Sequence, residues 1–462
     1  MARDVVDSEV VESRDALVAW LEAGCKPTGS FRVGTEHEKI PFYRADHSPV
    51  PYGGERGIRA LLEGMRAHLG WDGIEDRENL IGLYDVNGEG AISLEPGGQF
   101  ELSGAPLFDA HATAAELDRH LAACRKVAEP LGIGFLTLGM SPKWSLTETP
   151  VMPKSRYAIM ARYMPKVGTR GLDMMFRTAT VQANLDFASE QDMVAKLRVG
   201  LALQPAMTAL FANSPFTDGK LNGLLTARSE IWRHTDPART GMLAFAFEPG
   251  MGFERYVDYA LDVPLYFVKR GDHYQDVAGA SFRDLLAGRL KEAPGERATL
   301  ADWANHLSSI FPEVRLKRFL EMRGADVGPP ERIVALSALM AGLYYDPGAL
   351  QAAEALTQAW TAEDRQKLRD DAPLLGLAAE IRGRDLRSVA MDMLAIAHSG
   401  LKRRARLNAK GEDETIFLRP LEAIAESGRE PARHWIERYE GPWSRSVEQA
   451  FDEAAFSAVV TI

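Results

Sequence analysis

Three short segments of the chain alternate side chains able to hold a metal ion or a phosphate with apolar or small ones. They are FRVGTEHEKI at 31–40, QFELS at 99–103 and TVQANLDF at 180–187. Because every second side chain of an extended strand lies on the same face, each segment predicts one polar row. The three rows are Glu36 with Glu38; Gln99 with Glu101 and Ser103; and Thr180 with Gln182, Asn184 and Asp186.

A fourth segment, FLEMRGAD at 319–326, repeats the arrangement with Glu321 and Arg323 two positions apart. Mg²⁺ takes hard oxygen ligands and bridges protein carboxylates to nucleotide phosphates. Oxygen-rich rows on neighbouring strands would supply such ligands, so the pattern predicts ATP-dependent chemistry on a sheet. Neither GxxxxGK[ST] nor a GxGxxG after a predicted strand is present, which argues against a P-loop or a Rossmann site.

Glu36 and Glu38 are the strongest metal candidates. Two carboxylates on one strand face repel each other unless a cation lies between them, although a solvated strand edge would give the same pattern. LEPGGQFELSGAP at 94–106 offers a second pair, Glu95 and Glu101. Their even separation puts them on one face only if residues 96–98 do not bulge, and Pro-Gly-Gly predicts a bend or a close backbone approach there.

The remaining candidates are weaker individually. Gln182 and Asn184 could complete a metal shell or contact phosphate and substrate, but a polar strand face is often merely solvated. Arg323 beside Glu321 suits a guanidinium that neutralises a transferring phosphoryl group while its neighbour holds Mg²⁺; a surface ion pair is the alternative. The parity of His37 places it opposite the two glutamates of its strand, which predicts a packing role.

The composition is that of an ordinary soluble globular chain, with 462 residues, 46% of them apolar and 26% charged. The net charge of −11 argues against a nucleic acid or an anionic membrane as partner. The longest apolar stretch, 199–212, is broken by Gln204 and Pro205 and is too short for a membrane span.

Acidic residues are spread through the first twenty positions, and no basic region is followed by an apolar one. Neither a signal peptide nor a transit peptide is therefore expected. Cys25 and Cys124 are the only cysteines and stand in no CxxC or zinc spacing, which is typical of reduced thiols. These observations predict a cytoplasmic protein.

Apolar spacing predicts helices after Ser13 and over several later segments, with a buried strand at 132–140 and a loop at 213–223. The later helices are expected over 54–70, 111–132, 154–164, 191–212, 222–233 and 446–460. Strands and helices do not alternate as in a doubly wound sheet, and the pattern is almost wholly helical beyond about residue 330. We therefore predict a catalytic part, 1–330, and a helical C-terminal part, 331–462, packed on it.

Together these segments resemble the plant-type glutamate–cysteine ligases, a family of plants and many proteobacteria that makes γ-glutamylcysteine in the first step of glutathione synthesis. The likeness covers most of the chain, and its longest motifs lie at 152–187, 201–223, 228–243, 252–270 and 310–326. The resemblance implies the α+β fold of glutamine-synthetase-like carboxylate–amine ligases. In that fold a curved, mainly antiparallel sheet holds ATP and Mg²⁺ on its concave face and is flanked by helices, here with a helical C-terminal layer.

The resemblance also implies roles for individual residues. Those expected at the metals are Glu36, Glu38, Glu95, Glu101 and Glu321. Gln182 and Asn184 lie beside them and Arg323 near the phosphate, with Arg323, Glu36 and Glu321 as the catalytic set. Arg156 and Arg228 resemble the arginines that grip the α-carboxylate of glutamate, which a bidentate guanidinium suits, and Tyr266 resembles an aromatic residue on the cysteine side.

By this resemblance ATP phosphorylates the γ-carboxylate of glutamate, and the amine of cysteine attacks the acyl phosphate. The expected partners are these small molecules, with feedback by glutathione and a monomer or weak homodimer. A related ligase with another amine acceptor and a non-catalytic sensor are the alternatives. Plant enzymes carry regulatory cysteines in a hairpin, but residues 274–296 contain none, so we expect no redox switch.

Overall fold

The computed structural model describes residues 9–88 and 90–456. Its strands, in chain order, are β1 (Val33–Tyr43), β2 (Asp72–Asp76), β3 (Asn79–Tyr84), β4 (Ala91–Leu94), β5 (Phe100–Ser103), β6 (Ile133–Leu136), β7 (Thr180–Leu185), β8 (Phe216–Thr217), β9 (Lys220–Leu221), β10 (Thr240–Gly241), β11 (Phe267–Arg270), β12 (His273–Asp276), β13 (Phe311–Pro312), β14 (Val314–Leu316), β15 (Leu320–Asp326), β16 (Glu380–Ile381) and β17 (Arg384–Asp385).

The α-helices are α1 (Arg14–Glu22), α2 (Ile58–Leu69), α3 (Ala110–Ala128), α4 (Ser155–Val167), α5 (Gly171–Arg177), α6 (Glu190–Leu210), α7 (Ala227–Arg233), α8 (Phe253–Asp262), α9 (Phe282–Leu286), α10 (Leu300–Ser308), α11 (Pro330–Tyr344), α12 (Pro347–Thr357), α13 (Ala362–Leu375), α14 (Leu386–Arg404), α15 (Arg419–Ser427), α16 (Pro431–Glu440) and α17 (Ala450–Glu453). Short 3₁₀ turns lie at Thr28–Ser30, Ala244–Phe247, Gly376–Ala378 and Glu414–Leu418.

Nine strands form one sheet, in the order β14, β15, β7, β1, β5, β4, β3, β2, with β6 pairing to the second half of β1. Each pairing in this sheet is antiparallel. Helices α6 and α11 pack against β15 and β7 respectively. The predicted α+β class, with a mainly antiparallel sheet flanked by helices, is confirmed.

The register of the sheet aligns the four polar segments. Residues directly opposite each other on neighbouring strands share a face. The aligned pairs are Glu36 with Gln182, Glu38 with Glu101, and Glu321 with Asn184. The side chains predicted to form separate polar rows therefore belong to adjacent strands.

Most of the predicted helices and strands are present. α1 begins directly after Ser13, whose hydroxyl oxygen accepts a hydrogen bond from the amide of Ala16. The strand predicted at 132–140 is the shorter β6, and the predicted loop at 213–223 contains the two-stranded hairpin of β8 and β9. The helix predicted over 446–460 is reduced to α17, and residues 457–460 lie outside the described part of the chain.

The C-terminal helices share the core of the sheet. Thr35 of β1 and Ser337 of α11 form a hydrogen bond of 2.6 Å between their hydroxyl groups, and one continuous hydrophobic cluster includes Val181, Leu336 and Met393. The division of the chain at residue 330 stays a prediction. Within residues 9–88 and 90–456, no single helix is long and apolar enough to cross a membrane; α11 and α12 pass that test only as a pair bent by 91°.

Candidate active site

A cleft of about 920 Å³ lies between the polar face of the sheet and a layer formed by α4, α5, α7 and the end of α10. Eight of the residues given a role by the family resemblance line it: Glu36, Glu38, Glu95, Glu101, Arg156, Gln182, Arg228 and Arg323. Among these predicted residues, four carboxylates and three guanidinium groups face one space, although they come from segments up to almost three hundred residues apart.

The carboxylates of Glu36 and Glu38 lie almost fully out of solvent, with 6% and 9% of each residue exposed. The side-chain amide of Asn184 donates to Glu36 Oε1 at 2.7 Å, and the backbone amide of Thr180 donates to Glu38 Oε2 at 3.0 Å. Burial raises the pKa of both carboxyl groups, and the nearby Glu101 carboxylate raises the pKa of each further. A cation bound between the two carboxylates would stabilise their ionised form.

Glu95 and Glu101 reach the cleft from the two sides of a tight turn between β4 and β5. The amide of Gly98 donates to the carbonyl of Glu95 at 2.9 Å, and Gly98 has a φ of 90°, a conformation suited to glycine. A Cβ on Gly97 would lie 2.0 Å from the carbonyl oxygen of Phe176. The predicted bend and the predicted close backbone approach are therefore both present at residues 96–98.

Hydrogen bonds fix the side chains on both arms of this turn. The Tyr157 hydroxyl donates to Glu95 Oε1 at 3.2 Å, and the hydroxyl of Ser93 donates to Glu101 Oε2. Lys154 Nζ donates to the carbonyl of Leu94 at 2.8 Å. Residues 154–157, which read KSRY, thus attach the start of α4 to the turn that presents two of the carboxylates.

Glu321 does not line the cleft but is fully buried beneath it, at 0% exposure. Arg315 Nη2 donates to both of its oxygens, at 2.7 and 2.8 Å; Lys317 Nζ lies 2.9 Å from Oε2, and Arg323 forms an ion pair with Oε1. Burial alone would raise the pKa of Glu321, but these three cations hold it well below its usual range. This arrangement gives no support to the predicted metal role of Glu321, because its oxygens already have cationic partners.

Arg323 and Arg228 form the cationic end of the cleft. Arg323 Nη1 donates to the side-chain oxygen of Gln182 at 3.1 Å, and Arg228 Nη2 donates to the backbone carbonyl of Arg323 at 3.0 Å. Burial lowers the pKa of Arg323 to about 10, so its guanidinium group remains charged near neutral pH. Trp232 stands close to each, with its ring centroid 6.0 Å from the Arg228 guanidinium carbon and 5.5 Å from that of Arg323.

Tyr266 and Asn184 are the other predicted residues that do not line the cleft. Tyr266 is 1% exposed and lies under Arg239, whose guanidinium carbon is 3.9 Å from the ring centroid. Its neighbour Phe267, the first residue of β11, lines the cleft instead, since consecutive residues of an extended segment point to opposite sides. The expected contact of Tyr266 with cysteine is thus not supported, whereas Asn184 reaches the site through Glu36.

Sequence reasoning missed Arg315, Trp232 and Phe311, all of which line the cleft. Two of them had a detectable signal. Arg315 and Lys317 stand two positions apart, as Glu321 and Arg323 do. A hairpin that joins these two segments would place Arg315 opposite Glu321, as observed. Trp232 lies four residues after Arg228 in α7, so the two share a helix face.

The model of glutamate-cysteine ligase family 2 (GCS2) matches residues 32–453. The chain belongs to this family. It is 52% identical over 444 residues to glutamate–cysteine ligase B, chloroplastic, of Oryza sativa subsp. japonica, covering 96% of this chain and 87% of the relative. It is 51% identical over 444 residues to glutamate–cysteine ligase, chloroplastic, of Arabidopsis thaliana, covering 96% of this chain and 83% of the relative.

Among solved structures, the glutamate–cysteine ligase of Francisella tularensis in complex with AMP superposes with a TM-score of 0.54 at 12% identity, covering 92% of this chain and 89% of that one. A bifunctional glutathione synthetase from Pasteurella multocida gives a TM-score of 0.50 at 12% identity, covering 95% of this chain and 53% of that one. These likenesses show a shared fold, as the carboxylate–amine ligase resemblance predicted.

The prediction of a cytoplasmic protein is wrong by this comparison. The plant relatives described above, and one from Nicotiana tabacum that is 52% identical over 452 residues, are named chloroplastic. The prediction rested on the composition of residues 1–20 and on the cysteine content, and neither property determines the compartment in which a protein works.

Proposed function

We propose that the protein joins the γ-carboxylate of L-glutamate to the amine of L-cysteine, with ATP converted to ADP and phosphate, and so forms γ-glutamylcysteine. The observation that carries this proposal is the cleft in which four carboxylates, from β1 and from the β4–β5 hairpin, face four arginines. Acidic side chains suit a magnesium nucleotide, and guanidinium groups suit carboxylate and phosphate. Membership of glutamate-cysteine ligase family 2 supports the same activity.

The donor set fits Mg²⁺ shared with a nucleotide. Within the described ranges 9–88 and 90–456, no three His, Cys, Asp or Glu side chains are close enough to form a metal site by themselves. Mg²⁺ is commonly held by one or two carboxylates together with substrate phosphates and water. Glu36, Glu38, Glu95 and Glu101 are therefore proposed to hold Mg²⁺ jointly with the phosphates of ATP, and when bound it would neutralise charge on the transferring phosphoryl group.

The neutral and basic side chains orient these groups. Asn184 fixes one oxygen of Glu36, leaving its other oxygen for the metal. Gln182 holds Arg323, which we assign to the phosphoryl oxygens. Glu321 is proposed to act through Arg323 and Arg315, since it anchors both guanidinium groups from below.

Arg156 and Arg228 are proposed to bind the α-carboxylate of glutamate. Both line the cleft, and Arg228 is 2% exposed. Water would therefore screen the attraction between this arginine and a bound carboxylate only weakly. A clamp at the α-carboxylate leaves the γ-carboxylate free to be phosphorylated. Correct placement of two reactants supplies a large part of the rate enhancement of such reactions.

The activation step is needed because a free carboxylate is a poor acyl donor. Phosphorylation replaces oxide with phosphate as the leaving group, and the amine of cysteine then displaces phosphate. Trp232, Phe267 and Met160 line the same space with apolar surface, which limits the access of water to the acyl phosphate. Feedback by glutathione and the oligomeric state stay predictions.

The test is ADP release by the purified protein with Mg²⁺, ATP and glutamate, with and without cysteine, together with mass spectrometry of the product. We expect cysteine-dependent ADP release and γ-glutamylcysteine. Release that responds only to another amine would keep the activation chemistry but replace cysteine as the acceptor. ATP binding without any ADP release would point to a sensor and contradict the proposal.

A further inference from the structure

The short helix α7 brings Arg228 and Trp232 to the cleft. It has seven residues, and isolated helices this short are not stable in water. Contacts with other elements must therefore hold α7 in place. One of these elements is α13, which belongs to the helical C-terminal part of the chain.

The end of α13 holds the start of α7. The carbonyl of Pro373 accepts hydrogen bonds from the amides of Leu225 and Thr226, at 2.8 and 3.3 Å, just before α7 begins. Pro373 lies in the last turn of α13, where carbonyl groups lack a partner within their own helix. The two helices therefore satisfy each other's terminal backbone groups.

Arg369 of α13 holds the middle of α7. The residue is 3% exposed. Its Nη2 donates to the backbone carbonyl of Ser229, the neighbour of Arg228, at 3.0 Å, and its Nε donates to the carboxylate of Glu313. Glu313 is buried and lies between β13 and β14. One guanidinium group thus joins α7 to residues 311–316, the β13–β14 segment.

The β13–β14 segment brings two further residues to the same cleft. Phe311 and Arg315 stand two positions before and two positions after Glu313, and both line the cleft. The ring centroids of Phe311 and Trp232 are 5.5 Å apart. Arg369 therefore ties together two walls of the cleft, one on α7 and the other on the β13–β14 segment.

These two contacts need a guanidinium group. Its donors form a planar fork that serves Glu313 and the Ser229 carbonyl at the same time, whereas the ammonium group of lysine is a compact charge on a flexible stem. Arg369, Glu313 and Ser229 are all buried, so water does not readily replace a hydrogen bond that is lost.

We propose that Arg369 is a positioning residue for glutamate: it holds α7 so that Arg228 meets the α-carboxylate of the substrate. This inference rests on the proposed function, in which Arg228 belongs to the glutamate clamp. Arg369 does not itself line the cleft. The helical C-terminal part thereby contributes to substrate binding from behind the site.

The test is Arg369→Lys, which keeps the positive charge beside Glu313 but loses the fork. We expect the KM for glutamate to rise about tenfold or more, with the KM for ATP nearly unchanged. Arg365→Lys is the matched control. Arg365 is a buried arginine of the same helix that donates to the carbonyl of Trp360, so its replacement should leave the KM for glutamate unchanged.

Binding is also measured without turnover, in the full chain labelled with 5-fluorotryptophan and with Mg²⁺ and a non-hydrolysable ATP analogue present. Trp232→Phe identifies the ¹⁹F resonance of Trp232 among the eight tryptophans. Glutamate should shift this resonance saturably in the wild type, and Arg369→Lys should require about tenfold more glutamate for the same shift.

A KM or a titration midpoint that Arg369→Lys leaves unchanged would overturn the proposal even if the Tm falls, because a purely structural role lowers stability without changing affinity. An equal rise in KM with Arg365→Lys, or a wild-type Trp232 resonance that ignores glutamate, would do the same. If Arg369→Lys does not fold, Arg369→Gln combined with Glu313→Gln removes both charges, and the same measurements decide. Failure of the proposed function is distinct, since the wild type would then bind glutamate but show no cysteine-dependent ADP release.

Discussion

Replacing Glu321 by glutamine removes one negative charge from the centre of three buried cations. The side chain keeps nearly the same volume, so the change is electrostatic. Arg315, Lys317 and Arg323 all contact the carboxylate, and all three are nine-tenths or more buried. We therefore expect Glu321→Gln to destabilise the fold strongly and to reduce turnover as well, because Arg323 loses its anchor.

The size of the effect follows from burial. Breaking a buried ion pair by removing one partner costs about 3–5 kcal/mol, and the other cations add to this cost. The entropy of unfolding is about 2.1 cal/mol/K per residue, or roughly 1 kcal/mol/K for 462 residues. Calorimetry should therefore show a Tm lower by about 3–5 °C.

A matched substitution separates this effect from a general response to glutamine. Glu63 forms an exposed pair with Arg59 in α2, with side-chain exposures of 55% and 51%, so Glu63→Gln should cost less than about 1 kcal/mol. In a double-mutant cycle, Arg315→Met should partly offset Glu321→Gln. Additive losses, or a Tm for Glu321→Gln within 1 °C or so of the wild type, would refute the electrostatic account of this cluster.

Four further outcomes are expected. Glu36→Gln should lower turnover at least about tenfold through weaker metal binding, with Glu63→Gln at wild-type rate; full activity at equal Mg²⁺ would exclude the ligand role. Arg228→Lys should raise the KM for glutamate about tenfold or more, while Arg233→Lys on the same helix should not; an unmoved KM removes the clamp. The raised pKa of Glu38 means that its contribution to stability is present below the ordinary carboxyl pKa and is lost as the pH rises through the raised value. As the pH rises from 5 to 8, the Tm of Glu38→Gln should therefore increase relative to that of the wild type. A Tm difference that stays constant over this range would contradict the prediction. Oxidant and reductant should leave ligase activity nearly unchanged, and reversible activation by oxidation would disprove the absence of a redox switch.

The alternation of polar and apolar residues was sufficient to predict the strand faces of the site. Glu36 and Glu38 lie on one face of β1, as their spacing requires, and Gln182 shares the cleft with them. The period of a strand is two residues, so any in-register pairing keeps these side chains together. This part of the site is a local property of each segment.

The predicted roles of Glu321 and Tyr266 stay predictions, and the surroundings of both residues depend on which strands become neighbours. Glu321 has the spacing of a ligand, but its pairing with β14 places Arg315 directly opposite and so gives the carboxylate a different partner. Tyr266 stands next to a residue that lines the cleft, and a shift of one position reverses the side to which a side chain points. Neither outcome can be read from the segment alone, because each is set by tertiary pairing.

The central position of β1, between β5 and β7, also governs when the site can exist during synthesis. Residues 33–43 and 100–103 emerge early, but the second neighbour of β1 arrives with residue 180, and Arg323 arrives only with β15. Such long-range pairing is slow, since a long loop must close before its contacts stabilise the fold. A nascent or cleaved chain that ends before Arg323 therefore holds the four carboxylates, Arg156 and Arg228 without the arginine assigned to the phosphoryl oxygens, and only a polypeptide that extends through β15 can assemble the complete cleft.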